Sequence, residues 1–91
     1  MQISFEGNTY EVEDGITVKE VLNRFNSEHQ EPPRVLIRKK IMGEKPGANF
    51  MDPPIKYVQF VDEKFISAKD YEITKVTELA EVEPLFYEDG G

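Results

Sequence analysis

The first 26 residues constrain the fold more than any other part of this chain. Ile3 and Phe5 alternate with Gln2 and Ser4, Gly7-Asn8 interrupts, and Tyr10 and Val12 then alternate with Glu11 and Glu13. Period-two alternation on both sides of a turn signal predicts a hairpin with one apolar face. Asp14-Gly15 closes the second strand. Thr17 and Glu20 have the spacing of a capping box, in which each side chain satisfies a backbone N–H at a helix start. Ile16 and Val21 stand where a hydrophobic staple belongs. Val18, Val21, Leu22 and Phe25 follow at i, i+3, i+4 and i+7, a stripe that is buried only if the helix crosses the apolar face of the hairpin. The opening unit is strand, strand, helix.

The chain is short enough to make this unit part of a single domain. It has 91 residues, 38% of them hydrophobic, and a domain of that size buries roughly 60 to 70% of its unfolded surface. An enclosed active site has little room. Acidic residues outnumber basic ones 18 to 11, for a net charge of -7, which opposes binding to phosphate backbones and anionic lipid surfaces. Nucleic acid and membranes are therefore not expected partners. The absence of cysteine removes disulfides, thiolate metal sites and cysteine nucleophiles together. No apolar run approaches the ~20 residues of a membrane span, and the amino-terminal segment reads as a strand, not an export signal. The expectation is a soluble, cytoplasmic protein.

Downstream, Arg34 to Ile41 is a strand candidate. Pro46, Pro53 and Pro54 with Gly43 and Gly47 make residues 43–54 an exposed loop. Tyr57–Val61 and Lys64–Ile66 read as two short extended pieces around an Asp62-Glu63 turn. Ser67 to Leu79 suits either a short helical turn or an irregular strand, since Ile73, Val76 and Leu79 recur every three residues. Val82 to Tyr87 reads as the last strand. Pro84 lacks a donor, so it marks an edge or the place where pairing stops. Residues 88–91, Glu-Asp-Gly-Gly, read as a flexible tail after a 1–87 domain.

Few side chains suggest chemistry of their own. Arg34, Arg38, Lys39, Lys40 and Lys45 lie in a basic island of an otherwise acidic chain, but strand alternation splits them over two faces. Gly43-Glu44-Lys45-Pro46-Gly47 lacks the spacing of a phosphate-binding loop. His29 is isolated between Glu28 and Gln30, whereas a metal site needs several convergent ligands. Asp62, Glu63, Glu81 and Glu83 have no spacing that pairs carboxylates for acid–base work. No nucleophile, base and orienting group come together, so the chain reads as a non-enzyme.

The order of elements, the motifs Met1–Phe5, Tyr10–Val12 and Asp14–Leu22, and the closing Glu81–Gly91 segment resemble the ThiS/MoaD sulfur carriers of the ubiquitin-like β-grasp fold. Tyr57–Ile66 resembles that family's internal hairpin. The resemblance implies an α+β domain, a mixed sheet packed on one main helix, ending in a flexible Gly-Gly tail. It implies that the carboxylate of Gly91 is adenylated by a ThiF/MoeB-like enzyme using ATP. A sulfur donor then converts it to a thiocarboxylate, which an acceptor synthase consumes in thiamine, molybdopterin or cysteine-type biosynthesis. In this scheme Gly90 lets the tail thread into the partner, because a residue without Cβ accepts extended or positive-φ backbone. Leu85, Phe86 and Tyr87 read as an apolar docking patch before the tail, with completion of the core as the alternative for part of them. No cofactor is bound by the carrier itself. Two departures stand out: Pro32–Lys56 is longer than in the smallest carriers, and Glu88-Asp89 precede the glycines where small or apolar residues are commoner. A ubiquitin-like modifier and a non-catalytic β-grasp interaction module are the alternative readings.

Overall fold

The computed structural model describes residues 1–28 and 30–86. It contains strands β1 (Gln2–Phe5), β2 (Asn8–Glu11), β3 (Arg34–Lys45), β4 (Ile55–Ser67) and β5 (Ala80–Leu85), one helix, α1 (Val18–Phe25), and a 3-10 turn at Ala68–Asp70. The five strands form one mixed sheet in the order β2-β1-β5-β3-β4. β1 and β5 are parallel, and the remaining neighbours are antiparallel.

The amino-terminal unit forms as its alternation predicts, with the turn one residue earlier. Glu6 and Gly7 have φ of 49° and 83°, the double positive φ of a tight hairpin turn, and Asn8 already pairs with Phe5. At the helix start the Glu20 N–H donates to Thr17 Oγ1 at 3.2 Å, and the Thr17 N–H donates to Glu20 Oε1 at 3.4 Å. Gly15, with φ 83°, turns the chain from β2 into this cap. Val18, Val21 and Leu22 are buried against the sheet, while Phe25 stacks on Tyr10 with centroids 4.0 Å apart. The core is completed by Ile3, Phe5, Val12, Ile16, Val35, Tyr71, Val76, Ala80 and Val82. Tyr71 is 1% exposed and its hydroxyl donates to the Pro32 carbonyl at 2.6 Å.

The second half departs from expectation in two places. Residues 55–67 are one strand, not a hairpin, and Asp62-Glu63 is a bulge. Ile37 pairs with Lys64 and Lys39 with Val61, so Arg38 faces two residues at once. Asp62 takes φ 55° to accommodate the extra residue, which a short polar side chain tolerates better than most. The 43–54 segment is exposed, but its first three residues are paired strand. Gly43 lies opposite Tyr57 and Lys45 opposite Ile55, leaving 46–54 as the connection. The Tyr57 ring occupies the space where a Cβ at Gly43 would project. β3 leaves β5 after Lys39, so Lys40–Lys45 and Ile55–Phe60 continue as a two-stranded ribbon beyond the sheet.

The ambiguous stretch after β4 resolves into the 3-10 turn, further turns and a single bridge from Lys75 to Thr17. β5 begins two residues before the expected Val82. Pro84 sits in the central strand, yet costs no ladder bond. The Glu6 N–H donates to the Val82 carbonyl at 3.3 Å, so by alternation the backbone polar groups of residues 82 and 84 face β1. β1 pairs only as far as Val82. The missing donor of Pro84 therefore points past the end of its neighbour, where pairing stops.

Candidate functional site

Helix α1 covers one face of the sheet, and the other face presents its even-numbered β3 positions and odd-numbered β5 positions. Register places Ser4, Glu81 and Arg38 in one row, Glu83, Leu36 and Phe65 in the next, and Leu85, Arg34 and Ser67 in the last. At the centre, Arg38 Nε and Nη2 donate to Glu81 Oε1 at 3.1 and 2.7 Å. Its guanidinium also lies 3.8 Å from the Phe60 ring centroid, a cation–π contact that fixes the plane of the fork. Glu63 comes within 3.9 Å. The hydrogen bond that Arg38 donates to Glu81, with the charges of Glu81, Glu83 and Glu63, holds Arg38 above the ordinary arginine range. One row away, Arg34 stands 5.8 Å from the Phe65 centroid. The result is a nearly flat surface of Leu36, Phe60, Phe65 and Leu85 interleaved with arginines. Aromatic and arginine side chains with few lysines are the composition of a protein interface.

The sequence-predicted residues distribute as follows. Leu85 and Phe86 are half-buried at the exit of β5, with Leu85 opposite Arg34 on the open face. Tyr87, Gly90 and Gly91 lie outside the described residues, as does His29. Arg34, Arg38 and Lys40 project on the open face, and Lys39 and Lys45 on the opposite one, the split that alternation requires. All five belong to β3, none to a loop. Glu81 is an ion-pair partner of Arg38, and Asp62 and Glu63 form the bulge beside it. Among the described residues no three histidine or acidic side chains converge as a metal would need, and no helix is long and apolar enough to cross a membrane. A shallow cleft of about 340 Å³ lies between the first hairpin and the ribbon, lined by Ser4, Thr9, Lys40, Met42 and Glu81 among others.

Sequence reasoning missed Leu36, Phe60 and Phe65 as members of this surface. The signal was present as the even-numbered alternation of β3, but the bulge at Asp62 shifts β4 by one residue and brings Phe60 and Phe65 onto the same face. That shift is not legible before the pairing is known. No protein-family model, no curated protein and no solved structure matches this chain.

Arg38 is paired with Glu81 and stacked on Phe60, and Arg34 stands beside Phe65. The arrangement is an apolar face with charges interleaved. Its clearest feature is that β5 delivers the chain from the middle of the sheet to the rim of an apolar, arginine-studded face.

Proposed function

We propose that this chain is a sulfur carrier of the ThiS/MoaD type, built on a ubiquitin-like β-grasp domain, and a protein co-substrate of other enzymes. One observation carries the reading: β5 is the central strand, parallel to β1, and Gly90-Gly91 follow it within six residues. A ThiF/MoeB-like enzyme docks through Leu85, Phe86 and Tyr87, together with Leu36 and Phe65 of the open face. The tail then reaches the partner's ATP site. The Gly91 carboxylate attacks the α-phosphate, pyrophosphate leaves, and an acyl adenylate forms. A persulfide sulfur displaces AMP, and reduction of the resulting acyl disulfide by a thiol leaves the thiocarboxylate. Glycine at both positions keeps Cβ atoms away from the adenylate and the attacking sulfur.

The carrier contributes a rigid platform and a rigid exit for the tail. Arg38 and Glu81 neutralise each other on that platform, so at its centre the partner meets a paired charge and not a lone one. The reading requires a free carboxylate at Gly91. Its test is adenylation by the activating enzyme of the same genome, followed as ATP-dependent release of pyrophosphate. Deleting Gly91, or adding one residue after it, is expected to abolish the signal while the circular dichroism spectrum and melting temperature stay unchanged. Equal turnover of the extended chain refutes the proposal.

A further inference from the structure

The sheet has two edges, and they differ sharply. β2 is four residues long, too short to template another strand. β4 runs for thirteen residues and is exposed over most of its length. Edge strands of this length are ordinarily blunted by charge, proline or a bulge. In β4 the bulge and all but one of the charges lie in one half, at Asp62, Glu63 and Lys64. The other half, Ile55-Lys56-Tyr57-Val58-Gln59-Phe60-Val61, carries one charge in seven residues, no proline and no glycine. β-branched and aromatic residues dominate it, the composition that favours strand pairing. Ile55, Tyr57, Val58 and Phe60 are between 37% and 47% exposed in the single chain.

The geometry points to this edge as a self-association site, in which the Ile55–Val61 edge of β4 pairs antiparallel with the same edge of a second copy about a two-fold axis at Gln59. Backbone directions follow from the ladder already described. Residues 82 and 84 of β5 face β1, so 81 and 83 face β3, and the odd-numbered residues of β3 face β4. On β4 the odd residues Ile55 to Val61 therefore bond inward to β3, and Lys56, Val58 and Phe60 present free N–H and C=O groups outward.

Centring the two-fold at Gln59 sets Val58 against Phe60 of the second copy and Tyr57 against Val61, apolar against apolar on both faces. It also sets Lys56 against Asp62 of the second copy, opposite charges at both ends of the pairing. A centre one residue later carries the pairing into the bulge at Asp62, and one residue earlier opposes Lys56 to Phe60 and Tyr57 to Gln59. Charge and apolar matching thus select one register and make the edge complementary to itself, as a two-fold interface must be. The product is a continuous ten-stranded sheet. A single strand pair is a small contact, so the dimer is weak and concentration-dependent.

Sedimentation velocity of the full chain from about 10 μM to about 1 mM is expected to show a mass rising above the 10.5 kDa monomer. Val58→Pro removes an outward N–H and no bond to β3, and is expected to keep the protein monomeric. Lys56→Asp, which changes only an exposed side chain, is expected to do the same and decides the matter if the proline variant fails to fold. The chain has no cysteine, so Gln59→Cys introduces one thiol at the axis. Opposed residues at such a non-hydrogen-bonded pair sit about 4.5 Å apart at Cα, within disulfide reach. Mild oxidation should link this variant at least tenfold faster than Glu72→Cys, an exposed control far from the edge. A monomer at every concentration overturns the inference. So does association that persists undiminished in both Val58→Pro and Lys56→Asp, or a monomer that pairs only with an unrelated strand peptide.

Discussion

Tyr71 ties the fold together at a point where its removal is measurable in two independent ways. Its ring is fully buried among the core side chains. Its hydroxyl donates to the Pro32 carbonyl at 2.6 Å, and its own carbonyl accepts from the Lys19 N–H at 3.0 Å. It thus joins the turn before β3, the segment after β4 and the first turn of α1. Tyr71→Phe keeps the ring and leaves the buried Pro32 carbonyl without a partner, a loss of about 1 to 3 kcal/mol. For a domain of this length about 2 kcal/mol lowers the melting temperature by roughly 8 to 16 °C.

The second signature is in alkali. Burial, with a smaller contribution from the Glu31 charge, raises the phenol of Tyr71 to about 12, against about 10 in an unfolded chain. Between those values the folded state holds a proton that the unfolded state releases. The associated stability is fully present below about pH 10 and is lost as pH rises through 12, amounting to about 2 to 3 kcal/mol. Lysines also deprotonate in this range, so the comparison with Tyr71→Phe isolates the tyrosine. Urea unfolding of both proteins from pH 8 to 12 should show curves separated by about 2 kcal/mol at pH 8 that converge above pH 10. Absorbance at the phenolate band should show one tyrosine of the four titrating last. A variant within about 0.5 kcal/mol of the parent at pH 8, with a parallel alkaline limb, refutes the reasoning.

Two further predictions concern the amino-terminal unit. Thr17→Ala removes the acceptor of the Glu20 N–H and should cost about 1 kcal/mol by urea unfolding, with Thr17→Ser recovering most of it. Phe5→Ala empties a position that is 1% exposed beneath α1 and should cost about 3 to 5 kcal/mol, enough to leave much of a marginal domain unfolded at 37 °C by circular dichroism.

The parts of the fold that were legible in the sequence are those decided by neighbours along the chain. The hairpin, the cap at Thr17 and the stripe Val18–Phe25 depend on alternation, a turn and a three-residue spacing. Asp62-Glu63 shows where such reasoning ends. The same short polar side chain serves a turn and a positive-φ bulge, and only the pairing partner decides between them. Here β3 continues straight past Arg38 and holds both halves of β4 in one strand. Gly43 was misleading for a related reason, since the Tyr57 ring across the ladder supplies the packing that the glycine lacks. Pro84 marks a pairing limit towards β1 only, while pairing to β3 runs on through Leu85, because its missing N–H faces the end of β1. The open face was hidden in the same way: Arg34 and Arg38 stood out as basic residues, while their stacking on Phe65 and Phe60 is a product of register.

Intact-protein mass spectrometry tests the proposed chemistry at Gly91 most directly. The chain is incubated with ATP, a sulfur donor and the activating enzyme of its own genome, beside a variant lacking Gly91. The account predicts a mass increase equal to the exchange of one oxygen for sulfur, confined to the parent chain. An unchanged mass with an enzyme that demonstrably activates another carrier contradicts it.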